Sequence, residues 1–305
     1  PVLGTNTTVG DFSTVQGGLF NTAPGTFDSI VNGISNDVEG IHDFIGNGQE
    51  NKILNTVAGE SGYNNYHRTI LNGYSGYNAS VRGGTILNGD ANYLEDGAQW
   101  STIINGKENR ITGNVYAVAP GTSGGYNLIG NGSLHRIISG TSKSTILNGY
   151  HNQIISANTV SILGGQHNSI SGESNNSVIV GGKHNLINSP ENDPADSTSG
   201  VFIGAGYQNQ VISGVTSGIV GGHKNYISGA TGSFIGGGSS NQITELPSFT
   251  TYTKYSSIVG GYSNFIAAGG ASNFIGGGGN NDIRTISNSS IVGGVRNKIN
   301  QDNDE

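Results

Sequence analysis

One short unit repeats along nearly the whole chain, and this repetition constrains the fold more than any other feature. STILNGYHNQI begins at Ser144, SILGGQHNSI at Ser161 and SVIVGGKHNLI at Ser177. Self-similarity at a short, nearly fixed period is typical of solenoids. The glycine shared by these units recurs 16 times, mostly 15 to 17 residues apart, at Gly18, Gly33, Gly48, Gly73, Gly89, Gly106, Gly132, Gly149, Gly165, Gly182, Gly206, Gly222, Gly238, Gly261, Gly278 and Gly294.

An asparagine follows this glycine by three residues in all but two units, where Gly76 and His135 take its place. Four steps between glycines are longer than the rest, and extra residues in a solenoid must leave the coil as loops. We therefore predict a single β-solenoid domain over residues 13–299, with an N-terminal cap or frayed segment at 1–12 and an acidic tail at 300–305. The predicted insertion loops lie near 54–68, 112–127, 188–200 and 244–255.

Each unit contains two β-branched segments separated by a Gly-Gly-x-x-Asn turn, as Ile258 and Ile266 illustrate. Glycine supplies backbone angles that β-branched residues refuse, and asparagine tolerates the left-handed region and bonds to nearby backbone. With 53 glycines in 305 residues and only 33% hydrophobic residues, the composition alone would also fit disorder. Isoleucine recurs at the same positions of successive units, and a disordered chain would have no reason to keep this spacing. We predict an all-β, parallel β-solenoid (a β-roll) of about 16 coils of 15–17 residues, with strands of about five residues.

The strand residues that face away from the inward isoleucine are also apolar, and their sizes compensate. One combination pairs a small residue with an aliphatic one, as in Thr145 and Leu147, and the other pairs a large residue with glycine, as in Phe234 and Gly236. A small side chain at one outward position is therefore matched by a larger side chain two residues away, and the reverse also holds. Such compensation is typical of strands buried on both faces.

A narrow coil buries one face of its strands, so the second apolar face needs a partner. We predict a parallel homotrimer. The predicted interface residues are Phe44, Leu87, Ile104, Leu147, Leu163, Phe202, Phe234, Val259, Phe274 and Val292. The alternative is a monomer with a flat apolar flank.

The repeats resemble the head repeats of trimeric autotransporter adhesins of the YadA type, which read S-x-I-G-G-G-x-x-N-x-A-S-G. SIVGGYSNFIAAG, SIVGGVRNKI and SILGGQHNSISG carry the same parts in the same order, and the likeness covers nearly all of residues 13–299. Similar repeats occur in bacteriophage and giant-virus fibre proteins. The resemblance implies a left-handed parallel β-roll of three chains used for surface attachment, although the family's usual coil is about two residues shorter.

The insertions carry aromatic residues, and tyrosine on protruding loops offers stacking area with a polar tip. The predicted ligand-contacting residues are Tyr63, Tyr66, His67, Tyr116, Tyr126, Phe249, Tyr252 and Tyr255. The alternative is that these loops simply pack onto the solenoid. In the third insertion, Asp193 and Asp196 could bind calcium weakly, but a proline-rich solvated loop is the better interpretation.

His151, His167 and His184 stand directly before the turn asparagine in successive units and should form a ladder. A metal site or a pH sensor is one interpretation. A solvent-facing turn that accepts any polar residue is favoured, because Lys224 and Arg296 occupy the same place. We predict no metal, no cofactor and no enzymatic activity, since no carboxylates recur as a pair on adjacent coils.

The net charge of −7 and the dispersed 13 basic residues disfavour nucleic acid as a partner. No apolar run is long enough to span a membrane. The chain lacks Cys, so no disulfide framework is possible, and it lacks Met, which suggests processing or trimming.

We predict a rigid extracellular fibrous adhesin or fibre shaft on a cell surface, filament or virion. Its partners would be further copies of itself and a cell-surface glycan or protein receptor. The alternative is a self-assembling filament subunit, or a phage or virus tail-fibre shaft, without its own ligand site. An ice-binding solenoid would need a flat Thr-x-Thr array, which scattered pairs such as Thr5 and Thr7 do not build.

Overall fold

A computed structural model describes residues 4–54, 67–79, 83–95, 97–113, 125–189, 200–245, 253–267, 271–284 and 286–300. The chain divides into two compact units, Pro1–Ile155 and Ser156–Glu305. Every element in the described ranges is a β-strand, and they hold no helix with the length and apolar character that crossing a membrane requires.

Each coil of the first unit contributes one strand to each of two parallel sheets, here called the A series and the B series. The A series comprises Thr7–Thr8, Thr22–Ala23, Asp37–Val38, Lys52–Ile53, Tyr77–Asn78, Tyr93–Leu94, Arg110–Ile111, Arg136–Ile138 and Gln153–Ile155. The B series comprises Thr14–Val15, Ser29–Ile30, Phe44–Gln49, Thr69–Tyr74, Thr85–Ile86, Thr102–Ile103, Leu128–Ile129 and Thr145–Ile146.

The second unit repeats this plan. Its A series comprises Ser169–Ser171, Leu186–Asn188, Gln210–Ile212, Tyr226–Ser228, Gln242–Thr244, Phe265–Ala267, Asp282–Arg284 and Lys298–Asn300. Its B series comprises Ser161–Ile162, Val178–Ile179, Phe202–Ile203, Gly218–Ile219, Phe234–Ile235, Ser257–Ile258, Phe274–Ile275 and Ser290–Ile291. A further parallel pair joins Ala230–Thr231 to Thr253–Lys254.

Neighbouring coils pair in parallel and in register. Ile70 pairs with Ile86, and Ile86 pairs in turn with Ile103. The predicted parallel β-solenoid is therefore confirmed. Most strands span two or three residues rather than the five predicted, because a left-handed backbone at both turns of the coil ends the extended segments early. The first A-series strand, Thr7–Thr8, lies within the segment predicted as a cap.

The inward residue of nearly every strand is a fully buried aliphatic residue. Ile258 and Ile266 are 0% exposed, whereas the adjacent Val259 is 51% exposed. The expected alternation between faces is therefore confirmed. Columns of isoleucine in each unit form the core.

The turn from a B-series strand to the next A-series strand, here called the B–A turn, contains the repeated asparagine, and its side chain lies inside the coil. Asn225 donates from Nδ2 to the carbonyls of Gly221 (2.8 Å) and Gly238 (3.1 Å). Its Oδ1 accepts the backbone N–H of Asn241 at 3.0 Å. The buried amides therefore link successive coils, which confirms that the repeated asparagine bonds to nearby backbone.

The residue in the left-handed region of this turn is the one before the asparagine. His184, with φ of 57°, precedes Asn185 in this way. The asparagine was predicted to tolerate the left-handed region, and that role was assigned to the wrong residue. Its amide must point inward to reach three backbone groups, so the preceding exposed residue carries the unusual backbone angle.

The turn from an A-series strand to the next B-series strand, here called the A–B turn, varies in length. Short versions join Ile138 to Thr145 and Ser171 to Val178. All four predicted insertions interrupt this turn, because each leaves after an A-series strand and returns before a B-series strand. In each unit the insertions therefore share one edge of the coil.

Candidate functional site

In the first unit, exposed aromatic residues line the A–B turn at a second left-handed position, and we call this set the aromatic corner. It consists of Phe12, Phe27, His42, His67, Trp100 and Tyr126, with φ between 50° and 62°. Each directly precedes the residue that begins the next B-series segment, and that residue is buried in every case except Ser13, which is half-buried. The backbone therefore directs every one of these side chains outward.

The first four rings of the aromatic corner stack on one another. The ring centroids of Phe12 and Phe27 are 4.9 Å apart, and those of Phe27 and His42 are 4.7 Å apart, with interplanar angles of 6° and 3°. His42 and His67 follow at 5.6 Å and 30°. These separations match the rise between paired strands, so the stack follows from coil register.

Trp100, the only tryptophan of the chain, extends this edge. Its ring covers Gly83 of the preceding coil so closely that a side chain at Gly83 would overlap it. Trp100 is 47% exposed and Tyr126 is 65% exposed. Two large aromatic surfaces therefore face solvent beside the point where the second insertion returns.

The corresponding positions of the second unit are mostly polar, with one aromatic exception. Tyr255 is 64% exposed and covers Gly232, whose added Cβ would lie 2.7 Å from Tyr255 Cδ1. Thr216 and Ser272 occupy other coils of this column. Among the described residues of the second unit, Tyr255 is thus the one aromatic side chain at this position.

Of the eight predicted ligand-contacting residues, the structure places His67 and Tyr126 in the aromatic corner and Tyr255 at the equivalent place in the second unit. The other five, Tyr63, Tyr66, Tyr116, Phe249 and Tyr252, lie outside the described residues, as do Asp193 and Asp196. Sequence reasoning missed Phe12, Phe27, His42 and Trp100 as members of this surface. The 15-residue spacing of Phe12, Phe27 and His42 was the available signal.

Beneath the aromatic corner lies a buried chain of ionisable groups. Asp28 accepts the backbone N–H groups of Asp43 (3.0 Å) and Gly40 (3.1 Å). Arg68 Nε lies 3.2 and 3.1 Å from the two carboxylate oxygens of Asp43, and both residues are at most 1% exposed. Arg68 also donates to the carbonyls of Leu54 (2.5 Å) and Glu39 (3.1 Å).

Burial raises the pKa of Asp28 to about 6, and the neighbouring negative charge of Asp43 adds to this. Burial also raises the pKa of Asp43, against the lowering effect of Arg68. Because these carboxylates are sealed from solvent, they have no access to a substrate. Their geometry fits a structural clamp, since Arg68 ties the residues on either side of the first insertion together.

The outward face of the B-series sheets combines apolar side chains with small hydroxyl side chains. Eight of the ten predicted interface residues are 37–83% exposed in the single chain, and Phe44 and Leu87 are half-buried. At the outward positions of all B-series segments in the described residues, no side chain is charged. The outward A-series positions, by contrast, include Asp37, Lys52 and Arg110.

The size compensation on this face has a cause within one chain. The Phe234 ring lies over Gly236, with Cε1 3.4 Å from where a Cβ would be, and Phe202 covers Gly204 at 3.3 Å in the same way. An added Cβ at either glycine would also crowd the backbone of the next coil. Compensation therefore reflects an aromatic ring covering glycine and does not by itself require a partner chain.

The predicted histidine ladder is present in the second unit. The rings of His167 and His184 stack at 4.9 Å and 16°. Stacked rings direct their nitrogen atoms side by side rather than toward one point. The described residues include no group of three or more His, Cys, Asp or Glu side chains placed to hold a metal ion. His151 belongs to the first unit, where its ring lies 6.1 Å from that of Tyr150.

No family model matches this chain, and no characterised protein matches it in sequence.

Proposed function

We propose that this chain is a segment of an extracellular fibre that attaches to a cell surface, with the aromatic corner and its neighbouring insertions as the contact surface. The observation that carries the proposal is the convergence of both first-unit insertions on one edge lined by exposed aromatic rings. Rigid scaffolds commonly present binding loops in this way. The repeats resemble those of YadA-type heads and of phage and giant-virus fibres, which is consistent with this role.

A contiguous patch of exposed aromatic residues commonly marks an interaction site. Trp100 and Tyr126 are both more than 45% exposed on adjacent coils. Amphipathic rings of this kind dominate binding energy in protein interfaces. They also offer flat faces on which a sugar ring can lie, so a glycan or a protein receptor would fit.

The test is attachment of the purified chain to whole cells or to glycans fixed on a surface. We expect Trp100→Ala and Tyr126→Ala together to reduce binding at least about tenfold, since each removes an exposed aromatic anchor. The matched control is Tyr262→Ala, which removes a tyrosine that is 51% exposed from a B–A turn of the second unit. Unchanged attachment of the double variant, with an unchanged thermal unfolding temperature, would refute the proposed contact surface.

We further propose that the chain functions as a parallel homotrimer in which the outward B-series faces meet. The support is the contrast between the two sheets, because an apolar face without charge is the composition expected at the centre of an interface. Each unit presents this face over eight B-series strands.

Phe234→Asp tests the face assignment. The ring is 40% exposed in the single chain, so the variant should fold, but a carboxylate would be buried without a partner in an assembly. We expect crosslinked multimers to disappear in this variant and to persist in Phe234→Leu. Equal crosslinking of the two variants would rule out this face as the contact.

The second candidate function is a filament subunit without a ligand site of its own. The in-register parallel stacking of coils favours it, because strand edges of this kind can pair with those of a further chain. Electron microscopy separates the two. Short particles of uniform length support the attachment fibre, whereas filaments that lengthen with protein concentration support the filament subunit.

A further inference from the structure

The B–A turns of the two units differ in charge. In the first unit these turns contain three carboxylates, Glu50, Asp90 and Glu108, and one cation, Lys107. In the second unit they contain no Asp or Glu, and they carry Lys183, Lys224 and Arg296. The segregation is not evident along the sequence, where the basic residues are dispersed, because it arises only when register brings the turns into columns.

Four successive coils of the second unit bring cationic and aromatic side chains onto one edge, here called the basic edge. It consists of Gln166, His167, Lys183, His184, Tyr207, Gln208, His223 and Lys224. Backbone bridges pair Gln166 with Lys183, Lys183 with Tyr207, and Tyr207 with His223. Neighbouring members are thus about one strand spacing, ~4.8 Å, apart along the edge.

The rings of the basic edge contact one another face to face or edge to face. His167 and His184 stack at 4.9 Å, His184 meets Tyr207 at 5.8 Å with an interplanar angle of 75°, and Tyr207 stacks on His223 at 5.4 Å. Stacking leaves mainly the ring edges exposed. Those edges carry the hydrogen-bonding atoms, namely imidazole nitrogens and the tyrosine hydroxyl.

The two lysines of this edge have no carboxylate partner among the described residues, whereas the equivalent lysine of the first unit has two. Lys107 Nζ lies 3.4 Å from Asp90 and 3.6 Å from Glu108. Lys183 and Lys224 are both exposed. Lys183 and Lys224 stand two coils apart, about 10 Å, which is well within the Debye length of about 30 Å at 0.01 M ionic strength. Their fields therefore add.

We propose that the basic edge binds an acidic polysaccharide that runs along the coils, with Lys183 and Lys224 on its sulfate or carboxylate groups and the ring edges on its hydroxyls. A charged group positioned by a rigid scaffold beside a hydrogen-bonding edge fits an anionic, hydroxyl-rich polymer. This surface is separate from the aromatic corner, which lies at the other turn of the coil.

Nucleic acid fits the same edge less well. Duplex binding depends on many phosphate contacts, and the two lysines of this edge, in a chain of net charge −7, supply few. Single strands bind by stacking bases on free aromatic faces. The faces of His167, His184, Tyr207 and His223 are already occupied by one another, so bases would find little stacking surface.

Binding should strengthen in mild acid. His184 faces His167 from the preceding coil, Tyr207 from the following coil and the adjacent Lys183. Burial, followed by the positive charges of His167 and Lys183, lowers the pKa of His184. An anionic polymer would counteract this repulsion and favour the protonated imidazole, so lowering the pH from 7.5 to 5.5 adds positive charge to the edge.

The test measures binding of the full chain to dextran sulfate, to polygalacturonate and to neutral dextran at low salt. We expect one or both charged polymers to bind, neutral dextran not to bind, and added salt to weaken binding. The two charged polymers distinguish sulfate from carboxylate as the recognised anion. Lys183→Gln with Lys224→Gln should weaken binding about tenfold or more, and Lys107→Gln should leave it within about twofold.

Four outcomes would overturn the proposal. They are no binding to either charged polymer, equal binding to neutral dextran, full binding by the double variant, and tighter binding to an oligothymidine strand than to the polysaccharides. Self-association that the double variant abolishes, without polymer binding, would assign the edge to a second copy of the chain instead. Trp100→Ala should not change dextran sulfate binding, so this result is independent of the proposed attachment surface.

Discussion

His135 shows how strictly a single interior position is specified. It replaces the repeated asparagine, is 0% exposed, and accepts the backbone N–H of Asn152 on Nδ1 at 3.2 Å. Its buried Nε2 makes no hydrogen bond of good geometry with the nearby backbone of Asn131 and Gly149, whereas the Nδ2 of an asparagine in this column donates to two carbonyls. Imidazole thus reproduces only the acceptor part of the asparagine pattern.

This site makes the stability of the first unit depend on pH. Burial lowers the pKa of His135 from its ordinary value of 6.5, so the folded state binds fewer protons than the unfolded state below that pH. The free energy of unfolding should therefore fall as the pH drops through 6.5. Asp28, with a pKa of about 6, contributes the opposite slope between pH 6 and 3.8, but it does so in wild type and variants alike.

His135→Asn should remove this dependence and stabilise the fold by about 1–3 kcal/mol at pH 7, because it satisfies a buried donor. Thermal or denaturant unfolding at pH 5 and pH 7.5 measures the effect. The increase in the free energy of unfolding over wild type should be larger at pH 5 than at pH 7.5. A gain that is equal at both pH values, or a loss, would show that the imidazole is not held neutral in the column.

Much of the residue pattern was predictable, and the exceptions have physical causes. The inward isoleucines and the asparagine column follow from a period of two and from the Gly-x-x-Asn spacing. The left-handed position before the asparagine was missed, because Ser, His, Lys, Glu and Arg all occupy it and it therefore shows no residue signature. The position is identified only by the requirement that the asparagine amide point into the coil.

Among the elements, the A–B turn accepts extra residues and the B–A turn does not. In all but two coils the B–A turn is tied by an asparagine amide that reaches both its own turn and the next coil, so the length of this turn is fixed. In the first insertion, Arg68 takes the equivalent role at the A–B turn by binding Asp43, Leu54 and Glu39. The positions of the insertions were predictable from step length, but this buried ion pair was not, since nothing near His67 marks Arg68 as interior.

Replacing Arg68 tests the clamp. Arg68→Gln leaves the carboxylate of Asp43 buried without its charge partner, and we expect a loss of about 3–5 kcal/mol in the free energy of unfolding. The matched control is Arg110→Gln. Arg110 also pairs with a carboxylate, Glu95, but its side chain is 49% exposed, and its replacement should cost at most about 1 kcal/mol.

Chemical denaturation of both variants, followed by circular dichroism, gives the comparison. Similar losses in the two variants would contradict the clamp. Proteolysis should also differ, with faster cleavage near the first insertion in Arg68→Gln. Cleavage there at the wild-type rate would show that the insertion is anchored by other residues.

For the molecule as a whole, a single repeated pattern determines an interior and two different exteriors. The A-series exterior includes charged side chains, the B-series exterior carries none among the described residues, and the turn edges carry an aromatic column in the first unit and a basic one in the second. The repeat predicts the coil and its interior, because spacing along the sequence sets which residues point inward. The edges were harder to predict, because their character depends on which side chains register brings together from coils 15 to 26 residues apart.

The most direct test of the account is the mass of the full chain in solution by sedimentation equilibrium. The proposed homotrimer, in which the uncharged B-series faces meet, predicts a particle of three times the 31.3 kDa chain mass. Phe234→Asp should return the particle to the mass of a single chain. A stable 31.3 kDa monomer for the unmodified chain, across the accessible concentration range, would contradict the proposal that sister copies cover this face.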